Sequence, residues 1–274
     1  LDRQEQISRY VLEHGSATIE QLSAELGVSR MTILRDLDDL DAQGILRKVR
    51  GGADATRSSI FESRVTYRSR LQQPQKDALS RMALTMIEPG NSILLDESTT
   101  LLPLARQLPT ITPLTVVTNC LEFMQHLAGR RGIHLIGLGG DYLDHYSAFH
   151  GRICHGAMSG LRVDYLFMSA AAVQGTTLFG PDERILATKR VFMEAAQTKV
   201  LVLDSTKFGH TALHVLADVG EFDRVIINDC PPDVQQQLHD TGVTIVVAPL
   251  DPPKEPTTAQ PQQTGEDEDD LEPD

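Results

Sequence analysis

Cationic and hydroxyl side chains cluster between residues 29 and 50, in types and spacings that suit contact with DNA. Arginine can bond the O6 and N7 atoms of guanine together, and the N-terminus of a helix attracts phosphate. Ser29 is placed to cap a helix, and residues 45–50 read as a short basic β wing. The predicted DNA-contacting residues are Ser29, Arg30, Met31, Thr32, Arg35, Arg47, Lys48 and Arg50.

Helical spacing in residues 1–56 predicts the elements that would position this cluster. The apolar residues of three successive helices would share one core, and they are Ile7, Tyr10, Val11, Ile19, Leu22, Leu26, Ile33, Leu37 and Leu40. Thr18 with Gln21 fits a capping box, Gly27 with Val28 suits a tight turn, and Gly44 suits the end of the third helix. We expect a helix-turn-helix with a wing, whose second helix reads the major groove. A small helical domain whose β-hairpin binds protein fits the spacing alone equally well.

Acidic residues lie on the same predicted third helix as the arginines. We expect these residues to form a solvated acidic face; they are Asp36, Asp38, Asp39 and Asp41. Alternatively, Asp36 forms an ion pair that holds an arginine in place.

Residues 92–248 alternate short apolar runs with helical stretches, which predicts an α/β domain with a mainly parallel sheet. The expected strands are Ile93–Leu95, Thr115–Thr118, Ile133–Ile136, Tyr165–Ser169, Val200–Leu203, Val225–Ile227 and Val243–Val247. The expected helices between them are Thr100–Leu108, Leu121–Leu127, Glu183–Thr198 and Val234–His239. The predicted organisation is therefore a DNA-binding domain at 1–56, a polar linker at 57–74, an α/β domain at 75–250 that opens with a helix over 75–87, and a disordered acidic tail at 251–274.

The net charge of −13 argues against a protein that binds nucleic acid over its whole surface. Most of that charge lies in the tail, which contains nine acidic residues and one basic residue, Lys254. The rest of the chain is therefore only mildly acidic. We expect the tail to aid solubility or to compete with DNA for the wing. The three widely spaced cysteines indicate reduced thiols, and neither a membrane span nor a secretory signal is visible, so we expect a cytoplasmic protein.

The segment from Val28 to Ala53 resembles the DeoR family of bacterial transcription regulators. Its Val-Ser-Arg-Met-Thr-Ile-Leu-Arg-Asp-Leu run is similar to the family's Val-Ser-x-x-Thr-Ile-Arg-Arg-Asp-Leu, and its Arg-Gly-Gly-Ala ending is similar to His-Gly-Gly-Ala. Leu34 and Arg50 depart from that pattern. The loss of a cation at Leu34 should change operator preference or weaken phosphate contact, and the cation at Arg50 should restore part of it. The resemblance covers all but the tail, and it implies a second domain that resembles ribose-5-phosphate isomerase and senses a sugar phosphate.

Four loops after predicted strands support such a site. Residues 96–100 follow a predicted strand and begin a predicted helix. Hydroxyl and backbone N–H groups at such a helix start can bind phosphate at the carboxyl end of a parallel strand. The family motif there is Asp-Ser-Gly-Thr-Thr, and in this chain Glu97 and Ser98 replace Ser-Gly; a carboxylate beside an anion is unfavourable unless it turns away. The loop at 204–209 resembles the family's Asp-Ser-Ser-Lys-Phe-Gly, which implies that Lys207 supplies positive charge. The predicted effector-binding residues are Asp96, Ser98, Thr99, Thr100, Thr118, Asn119, Gly139, Gly140, Asp204 and Lys207.

Three of these loops also have an ordinary structural explanation: a capped helix for 96–100, a plain turn for Gly139 and Gly140, and a surface lysine for Lys207. The group His145, His150, Cys154 and His155 lacks the spacing of a zinc site, so hydrogen-bonded or solvent-facing histidines are favoured over a metal.

We therefore predict a repressor of sugar metabolism genes that binds operator DNA as a homodimer or homotetramer and is released by a phosphorylated sugar. The prediction includes no catalytic residue, no metal and no cofactor. A sugar-phosphate isomerase with an appended helical domain is the enzymatic alternative, with Asp96, Glu97 or Asp182 as its base. The second alternative is an activator, or a constitutive DNA binder whose effector site has decayed.

Overall fold

The computed structural model describes residues 3–42, 46–54, 65–69, 71–228 and 230–250. The predicted end of the third helix at Gly44, half of the 57–74 linker (57–64 and 70) and the acidic tail lie outside these residues. No helix in the described part is long and apolar enough to cross a membrane.

The N-terminal domain has the predicted winged helix-turn-helix. Its helices are α1 (Arg3–His14), α2 (Ile19–Leu26) and α3 (Arg30–Ala42), and its strands are β1 (Ser16–Thr18), β2 (Arg47–Val49) and β3 (Gly52–Asp54). The strands form an antiparallel sheet in the order β1-β3-β2, so β2 and β3 make the wing as a hairpin. The core contains the predicted apolar residues Ile7, Val11, Ile19, Leu22, Ile33, Leu37 and Leu40.

Local signals start and end these helices as expected. Thr18 Oγ1 accepts from Gln21 N at 3.1 Å, and Gln21 Oε1 accepts from Thr18 N at 2.8 Å, which completes the capping box. Gly27 ends α2 at φ 63°, a left-handed conformation that favours glycine. Ser29 Oγ then accepts from Thr32 N at 3.2 Å and caps α3. These bonds fix the turn between α2 and α3.

The C-terminal domain is built on a seven-stranded sheet within the described residues 71–250. Its strands are β4 (Ser92–Leu95), β5 (Leu114–Thr118), β6 (Ile133–Gly137), β9 (Val163–Met168), β12 (Ala196–Leu203), β14 (Arg224–Ile227) and β15 (Thr244–Val247). All neighbouring pairs are parallel, in the order β15-β14-β12-β9-β4-β5-β6. Each of the seven predicted strands is therefore present.

Helices pack on both faces of this sheet. They are α5 (Gln73–Leu84), α6 (Leu102–Gln107), α7 (Leu121–Leu127), α8 (Gly151–Met158), α9 (Glu183–Ala195) and α10 (Pro232–Asp240). Two apolar clusters fill the space between helices and sheet, one containing Phe167 and Leu79 and the other containing Phe192 and Leu201. The sheet is thus buried on both sides, as a parallel sheet requires.

Short antiparallel strands and one helix were not expected from the sequence. The strands are β7 (Asp141–Leu143), β8 (Ala148–His150), β10 (Ala172–Gln174), β11 (Thr177–Gly180) and β13 (His214–Asp218). They form a hairpin of β7 with β8 and a sheet in the order β10-β11-β13. The missed helix is α8, whose eight residues include Gly151 and Gly156 and so give a weak helical signal.

The described part of the segment predicted as a linker, 57–74, contains helical residues. A short helix, α4 (Val65–Arg68), lies in this segment, and α5 begins at Gln73 rather than at 75. Val65 is buried, so this part of the segment packs against the protein instead of running freely through solvent.

Candidate functional site

The first candidate surface is the exposed start of α3 together with the wing. Ser29, Arg30, Met31 and Arg35 are exposed, and Met31 keeps 62% of its surface accessible although it is apolar. Thr32 is half-buried and its Oγ1 lies 2.9 Å from Ser29 Oγ. This face presents cations and hydroxyls at the N-terminus of a helix, where phosphate and base edges are favoured partners.

Acidic neighbours pair with some of the predicted DNA-contacting cations. Arg30 forms an ion pair with Glu20 at 2.5 Å, and Lys48 pairs with Asp38 while its backbone N–H donates to Asp41 at 2.9 Å. All these side chains are at least partly exposed, so the pairs are weak and DNA phosphates can replace the carboxylates. The predicted cations without an ion pair among the described residues are Arg35, Arg47 and Arg50.

Asp36 forms an ion pair with Arg3, as one of the two interpretations of this residue predicted. Its carboxylate is buried and accepts from Arg3 Nε at 2.6 Å and from Arg3 Nη2 at 3.0 Å. The two-point contact ties the start of α1 to the middle of α3 and so fixes the angle at which α3 is presented.

Leu34, which stands at a position where the family usually has arginine, packs against the apolar core of this domain. An apolar side chain there adds packing in place of a cation, which leaves Arg35 as the basic residue of the central turn of α3.

The second candidate site lies where the order of the parallel strands reverses. The chain proceeds from β4 outward through β5 and β6, then returns to place β9 on the other side of β4. Loops that leave the carboxyl ends of β4 and β9 therefore diverge, which opens the crevice where α/β sheets bind ligands. Polar residues crowd this edge and are buried, and they include Asp96, Glu97, Ser98, Thr99, Thr100, Thr118, Asn119, Ser169 and Asp204.

Lys189 is the centre of this edge, and the sequence prediction missed it. Its ammonium pairs with Asp96, lies 3.2 Å from Glu97 Oε1, and donates to Ser98 Oγ at 3.2 Å and Ser169 O at 3.1 Å. The helix α9 buries Ile185, Leu186, Phe192 and Met193 on one face, and Lys189 lies on that same face. A lysine within an apolar helical stripe was the signal that could have identified it.

The ion pairs set the charges in this cluster. The neighbouring carboxylates raise the pKa of Lys189 against the opposing effect of burial, so it carries a full charge. Burial opposes ionisation of Glu97, but the charge of Lys189 outweighs it and holds the pKa of Glu97 below its usual range. The loop after β4 thus contains an ionised Glu97 that does not turn away from the site.

Lys76 is a second buried cation that the sequence prediction missed, and it too lies on the apolar face of its helix, α5. Its ammonium donates to Arg68 O and to Thr99 Oγ1, the latter at 3.3 Å. Desolvation, together with the positive charge of Lys207, lowers its pKa to about 7, while Asp204 opposes the change. The described residues place no carboxylate within ion-pair distance of Lys76.

Arg68 brings the segment before α5 to the same site. Its guanidinium carbon lies 5.8 Å from the centre of the Tyr146 ring. Burial lowers its pKa, while the charges of Glu97 and Asp96 oppose that shift. A cation on α4 therefore lies within electrostatic reach of the loop after β4.

The other predicted effector residues lie in loops at the same edge of the sheet, and each loop makes its own contacts. Asp204 caps a short turn over Ser205–Lys207 by accepting from Thr206 N at 3.1 Å. The expected helix start at 96–100 is a 3₁₀ turn, Thr99–Leu101, and α6 begins only at Leu102. Gly139 and Gly140 follow β6, the edge strand of the sheet, and a Cβ on Gly140 would lie 2.3 Å from His150 O. Close packing of backbone explains this second glycine without a ligand.

Two of the three histidines singled out in the sequence, His150 and His155, are hydrogen-bonded to protein, and His145 is exposed. His150 Nδ1 and His155 Nε2 lie 3.0 and 2.9 Å from the same hydroxyl, Thr188 Oγ1. Cys154 is a free, buried thiol, as is Cys120.

Family models match both domains of the chain. Residues 3–59 match the DeoR-like helix-turn-helix domain, and residues 71–229 match the DeoR C-terminal sensor domain. Among solved structures, ribose 5-phosphate isomerase A from Methanocaldococcus jannaschii is 18% identical, covering 48% of this chain and 53% of that one with a TM-score of 0.36.

Curated relatives align over most of the chain. A protein named as a putative aga operon transcriptional repressor of Escherichia coli O157:H7 is 30% identical over 90% of this chain and 93% of its own length. An L-fucose operon activator of Haemophilus influenzae is 29% identical over 86% and 94%. A lactose phosphotransferase system repressor of Staphylococcus epidermidis is 27% identical over 87% and 96%. The chain belongs to the DeoR family of DNA-binding transcription regulators.

Proposed function

We propose that this protein represses genes of sugar metabolism and that a phosphorylated sugar, bound at the carboxyl edge of the parallel sheet, releases it from operator DNA. Residues 1–56 bind the DNA and residues 75–250 bind the effector. The relatives named as repressors of the aga operon and of the lactose phosphotransferase system support this direction of control. Like other regulators of this kind, the protein would act in the cytoplasm as a homodimer or homotetramer.

The effector proposal rests on the burial and the charge environment of Lys76. Within the described residues this buried ammonium has no paired carboxylate, and the charge of Lys207 acts on it, an unfavourable arrangement that an anion would relieve. Thr99 Oγ1 lies next to it as a hydroxyl partner. A phosphate dianion between Lys76 and Lys207 would restore the charge of the first and pair with both.

Arg68 offers a route from this site to the DNA-binding domain. The short helix α4 precedes α5 in the segment that joins the two domains, and the backbone oxygen of Arg68 accepts from Lys76. A phosphate that draws Lys76 towards itself would compete with this bond and loosen α4. The ligand then favours a conformation with lower operator affinity.

A titration of DNA binding tests the proposal. DNA fragments selected on the purified protein would be bound in the absence of ligand and then challenged with a set of pentose and hexose phosphates. We expect at least one to weaken binding about tenfold, a coupling within the usual range for allosteric proteins. Operator affinity unchanged by every compound would contradict the sensor proposal.

The activator named among the relatives supports a second candidate, in which the ligand raises operator affinity instead. The same titration separates the two by its direction. The isomerase alternative predicts turnover, so conversion of ribose 5-phosphate to its ketose by the purified protein would favour the enzyme over the regulator.

A further inference from the structure

The two lysines of the effector site have opposite charge environments. Lys189 is paired with both Asp96 and Glu97, so that end of the site has one more negative charge than positive among these three groups. Lys76 has no such partner in the described part of the chain and lies beside Lys207. Arg68 lies within electrostatic reach of the same two carboxylates and offsets that excess, so the charge that favours a phosphate is at the second end, beside Lys76.

The two ends are close enough for one small molecule to reach both. Ser98 Oγ accepts from Lys189, and Thr99 Oγ1 accepts from Lys76. Because Ser98 and Thr99 are consecutive residues of one loop, their Cα atoms are about 3.8 Å apart. A ligand of sugar size that spans this loop can place its phosphate at Lys76 and its other end near Glu97.

Buried hydrogen-bond acceptors without a partner lie around Glu97. Asn119 donates its amide to Phe149 O at 3.0 Å and to Glu97 Oε2 at 3.5 Å, which leaves its Oδ1 as an acceptor with no donor among the described residues. Asn119 is completely buried, and buried amide oxygens normally have a partner.

His150 supplies a second acceptor of this kind. The Thr188 hydroxyl donates to Arg184 O at 3.1 Å, so it receives a hydrogen from His150 Nδ1 at 3.0 Å. Burial lowers the pKa of His150, which keeps the ring neutral and leaves Nε2 as an acceptor. This nitrogen is buried and has no partner within the part of the chain that the structure describes.

We propose that Glu97, Asn119 and His150 bind the hydroxyl groups of the effector at the end away from its phosphate, and that Glu97 excludes effectors that carry a carboxylate there. This inference rests on the proposed function and extends it to the class of ligand: a sugar or sugar-alcohol phosphate with a neutral, donor-rich end. Glu97 replaces a serine of the family motif, so this selection is a property of the chain's own sequence. The ligand hydroxyls would donate to the three acceptors and satisfy the two that have no partner.

Two probes of the same length test this assignment on the full-length protein. Sorbitol 6-phosphate and 6-phosphogluconate differ at C1, which is an alcohol in the first and a carboxylate in the second. We expect calorimetry to show sorbitol 6-phosphate binding about tenfold or more tightly, because the second probe sets a carboxylate against Glu97. In E97Q the ratio should fall towards one, while binding of inorganic phosphate, measured as a third probe, should stay within about twofold of wild type.

Two further variants keep the test decisive. Glu122→Gln removes an exposed carboxylate on α7 and should leave the ratio unchanged. Asn119→Asp adds a carboxylate at the proposed hydroxyl-binding end and should raise the preference for sorbitol 6-phosphate, which gives a second readout if E97Q folds poorly.

The outcomes separate this inference from the proposed function. Equal binding of the two sugar phosphates, or a ratio that E97Q and Asn119→Asp leave unchanged, would overturn the inference and retain the phosphate sensor. Binding of inorganic phosphate alone would also overturn it. Failure of all three probes to bind would overturn the proposed phosphate site together with the inference.

Discussion

Lys189 Nζ lies 3.2 Å from Glu97 Oε1, and both side chains are almost completely buried at the point where the strand order reverses. The same ammonium pairs with Asp96 after β4 and donates to Ser169 O after β9. A residue of α9 therefore joins the two diverging loops of the proposed effector site, and the shape of that site depends on this ion pair.

Replacement of Lys189 by methionine should destabilise the protein strongly. The change leaves two carboxylates buried without their cation, and breaking a buried pair in this way costs about 3–5 kcal/mol. Urea denaturation would measure the loss. Arg190→Met on the same helix breaks only an exposed pair with Glu221 and should cost about 1 kcal/mol or less. Equal losses in the two variants would contradict the structural role of Lys189.

The stability deficit of Lys189→Met should shrink as the pH falls from 7 towards 5. Without the ammonium, burial raises the pKa of the Asp96 and Glu97 carboxyls above their values in the unfolded chain. The folded variant then takes up protons before the unfolded chain does, so acid favours folding in this range. Urea curves at several pH values would show a smaller difference from wild type at pH 5 than at pH 7.

Lys76 should make effector binding dependent on pH. Its pKa of about 7 in the folded protein, against 10.5 for an ordinary lysine, means that the group is largely neutral at pH 8. A bound phosphate raises that pKa, so binding at pH 8 takes up as much as about one proton per site, and affinity falls as the pH rises from 7 to 9.

Calorimetry at pH 8 in two phosphate-free buffers of different ionisation enthalpy would measure this proton uptake. Lys76→Met should abolish the uptake and weaken binding, whereas Lys199→Met on β12 should preserve both. Without ligand, the folded protein binds fewer protons at Lys76 than the unfolded chain between pH 7 and 10. This group therefore makes the protein more stable as the pH rises through that window.

Arg35→Ala should weaken operator binding without changing the fold. Arg35 is exposed on α3 and has no ion pair among the described residues, so its loss removes a contact to base or phosphate worth about 1–3 kcal/mol. Fluorescence anisotropy with selected DNA would measure the change, and Arg131→Ala, an exposed arginine before β6, serves as the matched control. Equal affinities of the two variants would show that α3 does not read the operator through this residue.

Asp36→Ala should loosen the N-terminal domain. The change leaves the guanidinium of Arg3 without the carboxylate that holds it at two points, and such a loss costs about 1–3 kcal/mol. Hydrogen exchange of peptides from α3 should become faster, and operator affinity should fall with it. Asp39→Ala removes one exposed bond to Gln4 and should leave the exchange unchanged; faster exchange in both variants would contradict a specific role for the Arg3–Asp36 contact.

Local sequence determined the elements of this protein and much of its family character. The capping box at Thr18, the cap at Ser29 and the turn at Gly27 act within a few residues, so their geometry follows from residue types. The seven parallel strands are continuous apolar runs because both faces of the sheet are buried. Strands of three to five residues, such as β7 and β13, carry too little pattern to be found in this way.

Only the tertiary structure decided which charged side chains contact each other. Lys189 and Asp96 are separated by 93 residues, and their pairing depends on β9 lying beside β4 and on α9 packing over that junction. The sequence shows Lys76 and Lys189 on apolar helical faces. It does not show that Lys189 pairs with two carboxylates whereas Lys76 forms no ion pair within the described residues. Burial and neighbouring charge set the ionisation of such groups, and both arise from contacts between distant segments of the chain.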